Sequence, residues 1–206
     1  MLKSSISIFF FFFAVICLSA QTVSWVGGRG AWSDPNNWNT GMVPRHGQSV
    51  WIDCNCKVVI ERNSTARASS VSVRPGTLLG IERNAMLDIQ IETNGGTGLT
   101  NLGTVSTNGF INIEGNRETG GIAINNIGEF STTISAEIYV NNFQKAIENS
   151  GDFTTGADIF IENISSPGGG SAIRLMDGNF FNNYYGSITI EDVTNIGISL
   201  FNNSSF

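Results

Sequence analysis

The residues best suited to chemistry gather between Trp25 and Cys56, in WVGGRGAWSDPNNWNTGMVPRHGQSVWIDCNC. This stretch holds every tryptophan of the chain (Trp25, Trp32, Trp38 and Trp51), the single histidine, His46, and the pair Cys54 and Cys56. Large rings set among Gly, Pro and Asn can stack on sugar faces, which makes Trp38, Trp32 and Trp25 candidate glycan contacts. Trp38 leads because the polar residues Asn37 and Asn39 flank it. The same rings can instead close off the end of a fold. Two thiols and one imidazole are a thin ligand set for zinc, so metal binding is the weaker reading of Cys54 and Cys56. In a strand the two side chains face the same way, near the upper limit of separation for a disulfide, and a local bend would let them bridge in an oxidising compartment.

Hydrolytic chemistry finds little support. A Ser, His and Asp triad is not credible with the one histidine lodged in a Pro-containing loop. Polysaccharide lyases and hydrolases need clustered carboxylates, often with calcium, or an acid and base held a few ångströms apart. Here Glu114, Glu162 and Glu191 each close a strand-like run, FINIE, DIFIE and SITIE. Stacked, they would form an exposed column of like charge, either a solvated edge or a weak cation site. The sequence therefore assigns no catalytic residue, no metal and no cofactor.

The chain carries 11 basic and 17 acidic residues, for a net charge of −6. Seven of the bases lie in residues 21–91 and twelve of the acids in residues 92–206. An acidic body argues against nucleic acid or an anionic membrane surface as partner, since both need clustered Lys and Arg. The opening MLKSSISIFFFFFAVICLSAQ has the layout of a secretory signal peptide over residues 1–20, cleaved after Ala20. Its apolar run is too short to span a bilayer, so no membrane insertion is expected after cleavage. The expected location is secreted, extracellular or on a cell surface.

Beyond this block, short alternating runs such as SVSV, MLDIQI, FINIE, EIYVN, DIFIE and SITIE are separated by Gly, Asn, Ser and Thr. Helical periodicity is almost absent. The turn glycines Gly103, Gly128, Gly151 and Gly178 stand 25, 23 and 27 residues apart. A repeat of that length with several strands and no helix predicts an all-β fold, a right-handed parallel β-helix (β-solenoid) of about 25 residues per coil. The expected divisions are a Trp/Gly-rich N-terminal cap with the first strands over residues 21–62 and solenoid coils over 63–206.

Stacking sets equivalent residues above one another. One inward ladder is expected from Leu99, Ile122, Ile147, Ile173 and Ile198. A second comes from the pairs Ile111 and Ile113, Ile138 and Val140, Ile159 and Ile161, and Ile188 and Ile190, and a third from Val105, Phe130, Phe153, Phe180 and Phe206. Two residues before the turn glycines stand Asn101, Asn126, Asn149 and Met176, with Asn202 at the corresponding place in the last line. These asparagines predict a structural turn ladder, because an Asn tolerates positive φ and its amide can bond the coils above and below.

The block of Trp25, Gly27, Gly28, Gly30, Trp32, Asn37, Trp38, Gly41, Pro44, Val50 and Ile52, followed by VSVRPGTLLGIERNAMLDIQ, resembles the N-terminal region of secreted or surface β-solenoid proteins of adhesin-like or autotransporter-like type, notably from Bacteroidetes. The resemblance implies a non-enzymatic structural or adhesion module whose partners are surface glycans or other cell-surface proteins. A carbohydrate-binding or polysaccharide-degrading parallel β-helix is the alternative. The chain stops within a repeat line at FNNSSF, so further coils or another chain are expected to meet its open edge.

Overall fold

The structure is a computed structural model that describes residues 22–92, 95–116, 121–165, 170–182, 186–194 and 196–200. The expected signal peptide, Asn202 and Phe206 lie outside these residues. Two short strands, β1 (Thr22–Ser24) and β2 (Gly30–Ala31), come first. Then the chain winds in three-strand coils: β3 (Ser49–Ile52), β4 (Lys57–Ile60) and β5 (Thr65–Ala68); β6 (Ser70–Val73), β7 (Leu78–Ile81) and β8 (Met86–Gln90). The middle coils are β9 (Thr97–Asn101), β10 (Thr104–Thr107) and β11 (Phe110–Glu114), then β12 (Ile122–Asn126), β13 (Glu129–Thr132) and β14 (Glu137–Asn141). Next come β15 (Lys145–Asn149), β16 (Asp152–Thr155) and β17 (Asp158–Glu162), then β18 (Ser171–Leu175), β19 (Asn179–Asn182) and β20 (Ile188–Ile190), and finally β21 (Ile196–Leu200).

From β3 onward every third strand joins the same sheet, with β1 and β2 added at the ends of the first and second. The first sheet runs β1-β3-β6-β9-β12-β15-β18-β21, the second β2-β4-β7-β10-β13-β16-β19 and the third β5-β8-β11-β14-β17-β20. All the strand pairings are parallel. The result is a parallel β-solenoid of about seven turns with roughly 25 residues per coil. Stacking of the first and second sheets already begins with β1 and β2, inside the segment expected to be a cap.

Alternation decides which side chains go in. In β11 Ile111 and Ile113 are buried, as are Ile138 and Val140 in β14 and Ile159 and Ile161 in β17, and these pairs stand in direct register. Val105, Phe130, Phe153 and Phe180 form the aromatic ladder, with ring centroids 4.4 and 4.7 Å apart and planes within 4° and 8° of parallel. Coil spacing of about 4.8 Å imposes this face-to-face geometry.

In the first sheet the expected register is corrected. Leu99 stands over Ile124, not Ile122, and the ladder continues through Ile147 and Ile173. These strands bury two successive residues, a small one and a large one: Gly98 and Leu99, Ala123 and Ile124, Ala146 and Ile147, Ala172 and Ile173. Ile122 instead pairs with Thr97 and Lys145 and is half-buried. Ile198 stands in register with buried Ile173, as expected, and is 41% exposed on the last described strand of the sheet.

Each turn glycine lies under the one that follows. A Cβ at Gly128 would sit 2.1 Å from the Gly103 carbonyl oxygen, and one at Gly151 or Gly178 would sit 2.2 Å from the oxygen of the glycine before it. Close backbone approach, not positive φ, reserves this column for glycine.

Candidate functional site

The tryptophan block folds over the end of the coil stack. A short 3-10 turn over Pro35–Asn37 is capped by Asp34, whose carboxylate accepts from the Asn36 backbone N–H at 2.9 Å. Asn37 Nδ2 donates to the Ala31 carbonyl at 2.9 Å. Its side chain fills the space that a Cβ at Gly27 or Gly30 would occupy, which is why glycine stands at both positions. Asn39 completes the turn by pairing its backbone N–H and side-chain oxygen with Ser24, each at 2.9 Å.

This scaffold packs Trp38 between the other two rings. The Trp25 and Trp38 centroids are 5.0 Å apart at 89°, and those of Trp32 and Trp38 4.8 Å apart at 67°. Both contacts are edge-to-face, the favourable arrangement for aromatic quadrupoles. Trp38 Nε1 donates to the Trp32 carbonyl at 2.8 Å and Trp25 Nε1 to that of Gly28 at 3.1 Å. Trp25, Trp32 and Trp38 are only 4, 2 and 2% exposed. Of the two readings of these rings, glycan contact and closure of the fold's end, their burial favours closure, Trp38 included. Trp51 is the exposed ring, 44% accessible, with the Arg74 guanidinium 5.5 Å from its centroid.

His46 pins the lid to the third sheet. Its Nε2 lies 3.1 Å from Asp88 Oδ2, while Asp88 Oδ1 accepts from Asn112 Nδ2 at 3.0 Å. Cys54 and Cys56 form a disulfide across a Cα separation of 5.2 Å, in the bend between β3 and β4.

Asn101, Asn126 and Asn149 are fully buried at the ends of β9, β12 and β15. Asn101 Nδ2 donates to Asn126 Oδ1 and Asn126 Nδ2 to Asn149 Oδ1, both at 2.7 Å. Each amide also reaches backbone carbonyls of its own turn or the next coil, Asn149 those of Gly151 and Asn179 at 2.8 and 2.9 Å. Positive φ is found elsewhere, at Asn63, Asn84, Asn142, Asn163 and Asp192. Leu175, not Met176, stands over Asn149.

The acidic column is also interrupted. Asn141 stands between Glu114 and Glu162 in register and its amide reaches Glu114 Oε1 at 3.4 Å. Among the described residues no group of three or more His, Cys, Asp and Glu side chains could hold a metal ion. Beside this column lies a pair that the sequence reading missed: outward-facing Tyr139 and Phe160, adjacent in register with centroids 5.7 Å apart and planes tilted by 30°. Their signal was present in EIYVN and DIFIE, where each ring sits between two inward residues. Tyr139 is 40% exposed and its hydroxyl donates to Glu162 Oε1 at 2.8 Å. Its pKa is raised because ionisation would give up that bond and set a phenolate beside Glu162, with Glu191 and Glu114 adding repulsion.

No protein-family model matches the chain, and neither does any curated protein or solved structure.

Proposed function

We propose that this protein is a non-enzymatic extracellular module, structural and adhesive, forming the N-terminal part of a surface β-solenoid. The observation that carries the reading is that inward rows of all three sheets are filled by their own side chains, so ligands meet the molecule on continuous, regularly spaced outer faces. A stack of this kind acts as a stiff stalk in which each coil contacts only its neighbours. The leader-like first 20 residues support export, and the Cys54–Cys56 disulfide suits an oxidising compartment.

Carbohydrate binding or degradation is the second reading, favoured by the outward pair of exposed Tyr139 and half-buried Phe160 beside Glu162. One pair of assays separates adhesion, with or without glycan binding, from degradation. Beads coated with the full chain are tested for attachment to cells and glycan arrays, and the soluble protein is incubated with polysaccharides while new sugar ends are measured. Attachment without turnover is the expected result. Release of new sugar ends would overturn the non-enzymatic reading.

A further inference from the structure

The outer face of the second sheet changes sign along its length. In register, Lys57, Leu78, Thr104, Glu129, Asp152 and Asn179 form one outward row. At its N-terminal end lies an open basin of about 440 Å³, within the usual range of roughly 300–1,000 Å³ for small-ligand clefts. Arg29, Lys57, Arg62 and Arg83 surround it. Among the described residues none of these four cations forms an ion pair. The one carboxylate at the rim, Glu82, is engaged by the Arg62 backbone N–H at 3.0 Å.

Gly80 makes the depression. It stands between Val59 and Ser106 in the next outward row, two residues along, and a Cβ there would meet nothing closer than 3.7 Å. Ser106, Asn108 and Thr133 line the basin with hydroxyl and amide groups. Thr133 Oγ1 donates to Asn108 Oδ1 at 2.6 Å, which leaves the Asn108 amide hydrogens free to donate.

We infer that this basin binds an acidic polysaccharide segment, one bearing uronate or sulfate groups. Four unpaired cations held together in a protein of net charge −6 create a local positive field that an anionic ligand relieves. The neighbouring hydroxyls and amide match sugar hydroxyls. A nucleic-acid groove would add stacking rings, and no aromatic residue lines this one. The carboxylates Glu129 and Asp152, further along the same face, limit the occupant to a short segment. The inference deepens the adhesive reading and rests on it for the extracellular setting.

The test measures affinity of the full chain for polygalacturonate, dextran sulfate, neutral dextran and duplex DNA, at low and physiological salt. Wild type is compared with Arg62→Ala/Arg83→Ala and with Gly80→Leu, which fills the basin without altering charge. The expected result is binding of one or both acidic polysaccharides, weakened by salt, with no binding of neutral dextran. The double variant should lose roughly tenfold or more per arginine. Gly80→Leu should lose a comparable amount while keeping the wild-type circular dichroism spectrum; if it fails to fold, the arginine variant alone decides. Unchanged affinity in both variants, tighter binding of DNA, or salt-sensitive self-association in place of polysaccharide binding would overturn the inference. Cell attachment that survives without acidic-polysaccharide binding would sink this inference and leave adhesion standing. Basin-dependent binding without cell attachment would do the reverse.

Discussion

In the coils, Phe130, Phe153 and Phe180 lie face to face, whereas in the lid Trp25, Trp32 and Trp38 meet edge to face. Both sets of rings are buried, but different things hold them. The phenylalanines are placed by backbone register, which sets one ring above another at the coil spacing whatever the rings prefer. The tryptophans lie where the register ends, so their geometry comes from ring electrostatics, two indole N–H bonds to carbonyls, and the Asn37 and Asn39 turns. Periodic packing distributes a load over many equal contacts, while a lid concentrates it in a few unlike ones.

The largest effect should come from breaking the ladder at its centre. Phe153→Ala removes a ring that contacts Phe130 below and Phe180 above, and the rigid coils on either side cannot collapse into the space. A loss of about 3–5 kcal/mol in urea unfolding is expected, as for other buried Phe truncations. Neighbour-only coupling further predicts that proteolysis of this variant cuts first near the damaged coil. A cost below about 1 kcal/mol would show that the ladder is incidental to stability.

Trp38→Ala tests the other side. Its cost should fall near the lower end of the same range, about 3 kcal/mol, because the Gly-rich turns around it can settle inward. Hydrogen exchange should then speed up in β1, β2 and the turns of residues 25–48 while β9 to β18 keep their protection. Equal loss of protection throughout would mean that the lid and coils unfold as one unit.

The same contrast explains what could be read from the sequence. Strand runs, coil length, the Phe ladder and the third-sheet pairs were legible because stacking repeats one side-chain class at one spacing. The first-sheet ladder slips by two residues at Ile122 when coils are aligned on an opening small-apolar pair, because Gly121-Ile122 mimics the Ala123-Ile124 pair that matches Ala146-Ile147 and Ala172-Ile173 in the true register. Burial of two successive residues breaks the period-2 rule. The tryptophans were legible in part: a capping block could be expected, but which ring faces water, Trp51 and not Trp38, depends on contacts distant in sequence. The basin was hidden for a similar reason. Arg29, Lys57, Arg62 and Arg83 converge only once β2, β4 and β7 are stacked.

A smaller effect tests whether the polar ladder matters as the aromatic one does. Asn126→Ala leaves amide groups of Asn101 and Asn149 without their 2.7 Å partner and removes bonds to the Gly128 and Asp152 carbonyls. Unsatisfied buried groups of this kind cost about 1–3 kcal/mol, measurable by urea unfolding. Asn126→Leu should recover part of that loss, since Val73 and Leu175 occupy the same column at its two ends. If both variants cost the same, packing volume is irrelevant at this position and the hydrogen bonds account for the whole effect.

The smallest expected effects belong to the latches, and they show how little a surface contact adds to either region. His46→Ala removes the lid's contact with Asp88 and should cost about 0.5–1 kcal/mol. Its counterpart in the late coils is Asp158, whose Oδ1 accepts from the Ser187 backbone N–H at 3.0 Å and from Ser187 Oγ at 2.6 Å. Those two bonds favour the ionised carboxylate and hold its pKa below the ordinary value. The folded state therefore binds the proton less readily than the unfolded chain. The latch contributes fully above the unfolded aspartate value of about 3.9, and that contribution fades as pH falls through the lower folded value. Asp158→Asn keeps one acceptor oxygen but cannot titrate. Urea midpoints of wild type and variant should thus differ slightly at neutral pH and converge in acid. A difference that stays constant with pH would mean that Ser187 holds the side chain by geometry alone and gains nothing from its charge.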